Sequence, residues 1–249
     1  MRAFNAELSK LLSLPGIWLA FLIGAFAPAF IAAMDSMAQK EEIIAGVSTR
    51  LSEVGYIGLA LGVQGVIILG VHAVSSEYLT ESSESGGGQQ ITTSLTVVSS
   101  RIHFLLAKAG AVTVISILLC IVAIMTTVSA TYLFLGEYTP AFEWSKLLGA
   151  VCYWTFTALL AFGITVLTKN GTIPLAVLII NTSVVSFSFL FSKVTQLALY
   201  LPDRAGLEMF MFLSDRFLTP FTGGLVMSAW VVVLFIASAI VFHRRDLAA

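Results

Sequence analysis

The chain has 249 residues, of which 58% are apolar and 11% are charged, and its mean hydropathy is +0.96. These values lie far outside the range of soluble domains and predict an integral membrane protein. With 13 basic and 14 acidic residues, the net charge of −1 gives no indication of a nucleic-acid partner. Cys120 and Cys152 both lie in apolar runs, which predicts buried thiols rather than a disulfide or a metal site.

Six stretches are long and apolar enough to form transmembrane helices, each of which needs about 20 residues. The short period-2 runs of a membrane barrel are absent from the sequence. The polar, acidic stretch 35–55 is predicted to be a loop. We therefore predict one all-α membrane domain over residues 1–249, with six spans at 14–34, 56–74, 109–135, 147–167, 173–191 and 223–242.

A short amphipathic helix is predicted ahead of the first span. Its apolar residues recur at helical spacing: Phe4, Leu8, Leu11 and Leu12. Glu7 and Lys10 fall elsewhere on the helical wheel. Such a helix can lie in the plane of the membrane interface. The alternative is a frayed polar tail.

The segment 192–220, between the last two spans, is long yet strongly apolar. A loop exposed to water would not carry such a patch, so we expect it to re-enter the outer leaflet or to pack against a partner subunit. In either arrangement Phe210 and Phe212 are candidates for a hydrophobic gate near the exit of a transport path. The alternative is an amphipathic helix that lies on the membrane surface.

Few polar residues fall within the predicted spans, and none of them is charged at mid-depth. That pattern argues against a transporter driven by a proton relay, which needs carboxylates inside the membrane. Polar side chains in a span either join neighbouring helices or face a substrate path. The sequence leaves both roles open for the candidates Gln64, Thr126, Thr127 and Asn181.

The stretch 77–108 is the main polar island between two spans. Its triple glycine, residues 86–88, is not a phosphate-binding loop, because no Gly-Lys-Ser/Thr follows it. The sequence also offers no paired catalytic carboxylates and no set of metal ligands. We therefore expect no catalytic residue, no metal and no cofactor in this chain, and any ATP must be bound by a separate subunit.

A degenerate motif runs through this polar stretch. Glu-Tyr follows the second span, and Leu-Leu-x-Lys enters the third; the matching residues are Glu77, Tyr78, Gly88, Thr92, Leu95, Arg101, Leu105, Leu106 and Lys108. This arrangement, with its six spans, resembles the permease subunits of the type-2 ABC exporter family. Ser99 stands where that family often has proline, and residues 81–87 lengthen the first half of the motif.

The resemblance implies that two permease chains pair within membrane lipid and that each rests on a cytoplasmic ABC ATPase, which holds ATP and magnesium. The loop after the second span would then dock on the ATPase, with Lys169 in the turn 167–172 as a smaller contact. The expected coupling residues are Glu77, Tyr78, Arg101, Lys108 and Lys169. The alternative is that the charged residues only anchor helix ends at the membrane surface.

The function that the resemblance implies is export of amphipathic or hydrophobic cargo, as in drug or antimicrobial-peptide efflux and immunity. One alternative is an exporter of a lipid or glycan precursor, and another is a membrane scaffold or sensor subunit without transport activity. Seven basic residues on the terminal side against six on the other favour cytoplasmic termini. The expected location is the bacterial plasma membrane.

Overall fold

The computed structural model describes residues 2–48, 53–78, 100–183, 186–211 and 218–244. These residues form ten α-helices and no strand. The helices are α1 (Arg2–Ser13), α2 (Pro15–Ile44), α3 (Tyr56–Leu61), α4 (Gln64–Ser75), α5 (Arg101–Leu135), α6 (Trp144–Thr168), α7 (Thr172–Ser183), α8 (Phe187–Ser192), α9 (Pro202–Leu207) and α10 (Pro220–Arg244). Short 3-10 turns cover Ser76–Tyr78, Gly136–Tyr138 and Gln196–Tyr200.

Five helical segments of the described residues are long and apolar enough to cross a membrane. They are Pro15–Ile44, Tyr56–Tyr78, Arg101–Tyr138, Trp144–Thr168 and Pro220–Arg244. Each coincides with one of the predicted spans. The chain is therefore an all-α membrane protein, as its composition predicts.

The predicted fifth span, 173–191, is not one continuous helix. Helix α7 ends at Ser183, and its 12 residues cover about 18 Å, less than the thickness of a bilayer core. Helix α8 begins at Phe187, whose backbone N–H donates to Asn181 Oδ1, and Ser186 caps its first turn by accepting from the N–H of Phe189. Asn and Ser side chains compete in this way with the regular helical hydrogen bonds.

The prediction that residues 35–55 form a loop is wrong for the first half of that stretch. Helix α2 continues to Ile44 before the chain turns at Gly46, which has a φ of +70°. Residues 37–42, Met-Ala-Gln-Lys-Glu-Glu, are all strong helix formers, and Gln39 Nε2 donates to Asp35 Oδ1 one turn earlier at 2.6 Å. Helix α5 likewise begins at Arg101, well before the predicted start of the third span.

The second and fourth spans form the centre of the bundle. In their most apolar windows, 72% and 67% of the residues are buried, against 17% in the last span. Glycines allow α4 to approach α2 and α6 closely. A Cβ atom added at Gly65 would lie 2.5 Å from Gly24 Cα, and one added at Gly70 would lie 2.3 Å from the carbonyl oxygen of Ala158. Small residues at helix contacts are typical of membrane bundles, in which van der Waals packing drives association.

Candidate functional site

Four charged residues from three parts of the chain meet at one end of the bundle. Lys108 Nζ, on α5, lies 2.6 Å from Glu7 Oε2 on α1 and 2.8 Å from Glu77 Oε1 at the end of the second span. Lys10 Nζ, also on α1, lies 2.5 Å from the same Glu77 oxygen. We call Glu7, Lys10, Glu77 and Lys108 the ionic cluster, and this end of the bundle the ionic end.

The ionic cluster is buried except for Lys10, whose side chain is 21% exposed. Glu77 and Lys108 are each 1% exposed and Glu7 is 7% exposed. The Lys108 ammonium group also lies 5.2 Å from the ring centroid of Phe104, which stacks on Phe242 of α10. Buried charges are tolerated when opposite charges surround them, and removal of one partner is strongly destabilising. The cluster therefore ties α1 to the second and third spans, and it does not present the charges of Glu77 and Lys108 at the surface.

Arg101 makes a second connection at the ionic end. Its Nη1 atom donates to the backbone carbonyls of Phe242 and His243, at 3.1 Å each. These carbonyls belong to the last turn of α10, where the backbone oxygens have no partner within the helix. A guanidinium group placed there satisfies them and favours the negative end of the helix dipole. Arg101 thereby joins the start of the third span to the end of the last.

Tyr78 and Lys169 line the same groove, of about 400 Å³, at the ionic end. Lys169 follows α6 in the left-handed conformation, with a φ of 54°, and its side chain is exposed. The turn after it packs closely on the second span, because a Cβ atom added at Gly171 would lie 2.7 Å from Ser75 Cβ. The five predicted coupling residues thus lie at one end of the bundle.

Helix α1 is present, but its buried face differs from the prediction. Glu7 and Leu11, one turn apart, are both buried, whereas Leu12 is 43% exposed. The assignment of Glu7 to a face away from the apolar residues is therefore wrong. The reason is the Lys108 ammonium group, which offers Glu7 a buried counter-charge that the local sequence does not reveal. The interfacial position of α1 remains a prediction.

The four candidates for a substrate path fall into two groups. Gln64 Nε2 donates to Ser183 Oγ at 2.6 Å, and Asn181 lies on the same helix as Ser183, α7. Thr126 Oγ1 instead donates to the carbonyl oxygen of Ala25 on α2, at 2.6 Å, and Thr127 is fully buried. These contacts join helices to one another. A role in a substrate path remains a prediction for all four residues.

The apolar segment before the last span packs within the bundle of its own chain. Phe210 is 2% exposed, and its ring centroid lies 5.5 Å from that of Tyr153 on α6. A Cβ atom added at Gly223 of α10 would lie 2.5 Å from the carbonyl oxygen of Ala205. Phe212, the other predicted gate residue, lies outside the described residues. The gate role of Phe210 remains a prediction.

Asp203 was not among the residues that the sequence singled out. Its Oδ2 atom accepts hydrogen bonds from Asn181 Nδ2 at 2.9 Å, from Ser186 Oγ at 3.2 Å and from Ser188 Oγ. Asn181 belongs to α7, and Ser188 belongs to α8. One carboxylate oxygen on α9 therefore joins the two helices that replace the predicted fifth span.

A second buried ion pair, Arg204–Glu208, lies next to Asp203 and was also not predicted from the sequence. Arg204 is 6% exposed and Glu208 is 1% exposed, and Arg204 Nη2 lies 3.4 Å from Glu208 Oε1. Burial raises the pKa of Glu208, and the positive charge of Arg204 opposes that shift only in part. The available signal was the apolar context, because Glu208 is the only charged residue in the run Ala205–Met211.

Comparison with known proteins does not assign a function to the ionic cluster or to the residues around it. No protein-family model and no curated protein matches this sequence. Within the described ranges, no group of three or more His, Cys, Asp or Glu side chains could hold a metal ion. The arrangement ties α1, the second and third spans and α10 together at the ionic end, and elsewhere it buries a carboxylate, Glu208, whose pKa is raised by burial.

Proposed function

We propose that this chain is the membrane subunit of an ATP-driven exporter of the type-2 ABC kind. In this proposal two copies, or this chain and a related one, form the membrane unit, and each rests on a separate cytoplasmic ATPase that binds ATP and magnesium. The cargo is amphipathic or hydrophobic, such as a drug or an antimicrobial peptide. The termini and the ionic end face the cytoplasm of a bacterial cell.

One observation carries the proposal. The five residues expected to couple the ATPase to the membrane come from three separate parts of the sequence, yet they lie at a single end of the bundle. A docking site for a soluble ATPase requires residues from several spans at one end of the bundle, because a force applied there must reach those spans together. The second span ends and α5 begins at this same end; residues 79–99, with Gly88, Thr92 and Leu95 of the motif, lie between them in sequence and outside the described residues.

The contacts of the five residues differ, so we assign them different roles in the proposal. Glu77 and Lys108 are buried in the ionic cluster, so their role in the proposal is to hold the second and third spans rigidly together. Arg101 extends that connection to the last span. Tyr78 and Lys169 line an open groove, so these two are the residues that contact the ATPase.

An apolar groove supports the assignment of hydrophobic cargo. It has a volume of about 650 Å³ and lies between α5 and α6. Its lining is apolar apart from one hydroxyl: Ile121, Ile124, Met125, Val128, Ser129, Phe142, Trp144, Leu147, Leu148 and Val151. The same groove suits the acyl chain of a lipid, which keeps export of a lipid or glycan precursor as the second candidate. A scaffold or sensor subunit is the third.

The test is a pull-down with this chain to recover an ATPase that contains a GxxxxGK[ST] motif, followed by reconstitution of the two proteins in proteoliposomes. We expect the complex to hydrolyse ATP and to move a hydrophobic dye or cationic peptide. The Lys169→Glu variant should bind the ATPase about tenfold less tightly, because it reverses an exposed charge at the contact. Lys40→Glu reverses an exposed charge at the other end of α2 and should bind like wild type.

Two results would contradict the proposal. One is equal ATPase affinity for the Lys169→Glu and Lys40→Glu variants, which would remove the ionic end as the docking surface. The other is a stable complex that hydrolyses ATP without moving any cargo, which would favour the scaffold or sensor subunit.

A further inference from the structure

We propose that Glu208 is a proton-binding site whose occupancy sets how firmly the segment Pro202–Met211 is held within the bundle. We call Pro202–Met211 the inserted segment. The inference rests on the geometry around Arg204 and Glu208 and holds whether or not the chain is a transporter. It concerns the end of the bundle opposite the ionic cluster.

The inserted segment is almost entirely enclosed. It packs against α6 and α10 at short range: Cβ atoms added at Gly149 and Gly223 would lie 2.3 Å and 2.5 Å from the carbonyl oxygens of Met209 and Ala205. At these two positions the backbones are in direct contact, with no space for water between them. The segment nevertheless carries a buried arginine and a buried glutamate, which such an apolar position does not normally accept.

The Arg204–Glu208 pair is incompletely satisfied. Neither oxygen of Glu208 accepts a hydrogen bond from any described residue, and Arg204 Nε donates none. The one contact between the two side chains is the 3.4 Å approach of Arg204 Nη2 to Glu208 Oε1. Two charges buried with so little compensation pay a desolvation cost that a single long ion pair does not repay. A proton on Glu208 removes the desolvation cost of the carboxylate. It also leaves the Arg204 guanidinium without a counter-charge, but at 3.4 Å and without a hydrogen bond to either oxygen that attraction is the smaller of the two effects.

Few other titratable groups lie on the elements packed against the inserted segment. On α6 there are Tyr153, whose ring contacts Gly206 and Phe210, the neighbouring thiol Cys152, and Lys146, which pairs with Glu143 at 2.8 Å. Tyr200 precedes the segment, and Lys193 follows α8. Helix α10 has no titratable residue between Pro220 and Trp230. Among the described residues, Glu208 is the acidic side chain that combines full burial with two unpartnered oxygens at this end.

Asp203, five residues earlier, provides an internal contrast. It is half-buried, and its Oδ2 atom accepts hydrogen bonds from three side chains. Those three hydrogen bonds compensate the charge of the carboxylate. Asp203 therefore holds α7 and α8 to the inserted segment, while Glu208 is the carboxylate that gains from protonation.

The sign of the effect follows from linkage. Burial raises the pKa of Glu208 in the inserted position, whereas in water the side chain would return to its ordinary pKa of about 4.3. The inserted position therefore binds a proton more tightly than a solvated one. The stabilisation is fully present at acidic pH and is lost as the pH rises through the raised pKa. Above that pH the ionised carboxylate weakens the hold on the segment.

The experiment is a pH series of thermal unfolding, followed by tryptophan fluorescence on the full chain in lipid nanodiscs. The Glu208→Gln variant keeps the shape of the protonated side chain and cannot ionise. We expect the unfolding midpoint of wild type to fall by a few degrees relative to Glu208→Gln as the pH rises from about 5 to about 8.5. Glu137→Gln, which alters an exposed acid at the same end, should keep the wild-type pH dependence.

Arg204→Met tests the role of Glu208 independently, should Glu208→Gln fold poorly. Arg204→Met removes the positive charge that favours the ionised carboxylate, so its pH transition should move to higher pH than that of wild type. Identical pH profiles for wild type and Glu208→Gln would overturn the proposal. A transition in Arg204→Met at the wild-type pH would do the same, because it would place the responsible group elsewhere.

Discussion

The two ends of the bundle both bury charged residues, but they complete the pairing differently. At the ionic end, the Lys108 ammonium group lies within 2.8 Å of two carboxylates, and Lys10 adds a second positive charge beside Glu77. At the opposite end, Arg204 and Glu208 approach only to 3.4 Å and three of their polar atoms lack a hydrogen bond, whereas in the ionic cluster one buried atom does, Glu7 Oε2, which lies 2.6 Å from Lys108 Nζ. The same residue types thus form a compensated cluster in one place and an uncompensated pair in the other.

A membrane bundle can thus hold its helices firmly at one end and in a pH-dependent way at the other. In the ionic cluster, burial alone would raise the pKa of Glu77, but Lys108 and Lys10 lower it below its ordinary value, so Glu77 keeps its charge and its contacts with both lysines above that value. An uncompensated pair gains from proton binding, so the hold on its element depends on pH. In the proposed exporter, the rigid end receives force from the ATPase and the adjustable end lies toward the cell exterior.

The largest expected effect comes from breaking the ionic cluster. Lys108→Met removes the central positive charge and leaves Glu7 and Glu77 buried beside Lys10 alone. We expect a loss of about 3–5 kcal/mol, because an uncompensated buried charge remains. Thermal unfolding in nanodiscs measures it, with Lys40→Met, an exposed lysine, as the control. Equal midpoints for the two variants would show that the cluster contributes little to stability.

A smaller effect is expected from Asp203→Ala, which removes the shared acceptor of Asn181, Ser186 and Ser188. Because Asp203 is half-buried, water can replace part of the loss, and we expect about 2 kcal/mol. Hydrogen exchange of the α8 amides should accelerate. Asp203→Asn keeps an acceptor oxygen and should lie between wild type and Asp203→Ala; protection of α8 unchanged in both variants would rule out this anchoring role.

The smallest effect is expected from Lys10→Met. The side chain of Lys10 is 21% exposed, and Glu77 keeps its contact with Lys108 when Lys10 is lost. We therefore expect a loss of about 1 kcal/mol or less in the same unfolding assay. A loss as large as that of Lys108→Met would mean that both lysines are equally needed and that the cluster has no central member.

Hydropathy was sufficient to predict most of the fold, because five of the predicted spans coincide with long apolar helices. It failed where polar residues decide the outcome. The helix formers after Asp35 extend α2 into the predicted loop, and the Asn and Ser side chains around Ser183 separate α7 from α8. Both features depend on local hydrogen bonding, to which an average over 20 residues is insensitive.

The five residues that we propose for coupling were predicted from the sequence to lie on one side of the membrane, but the burial of Glu77 and Lys108 could not be predicted. Lys108 meets Glu77, which is 31 residues away along the chain, and Lys10 meets Glu77 across 67 residues. Such partners come together only through the packing of α1 on the spans. The Arg204–Glu208 pair has the spacing of an ordinary exposed helical ion pair. Its importance comes from burial against α6 and α10, which spacing does not reveal.

The most direct test of the contrast is thiol labelling at both ends of the same protein. In a Cys120→Ala, Cys152→Ala background, single cysteines replace Leu105 at the ionic end and Met209 in the inserted segment, which are 3% and 7% exposed. Each labelling rate is divided by that of Val194→Cys, at an 85% exposed position, which removes the pH dependence of the thiol reaction itself.

Between about pH 5.5 and about pH 8, we expect the normalised rate at Met209→Cys to rise several-fold and the rate at Leu105→Cys to stay constant. Adding Glu208→Gln should abolish the rise at Met209→Cys. The same pH dependence at both positions, or a rise that persists with Glu208→Gln, would contradict the division into a rigid ionic end and a proton-dependent opposite end.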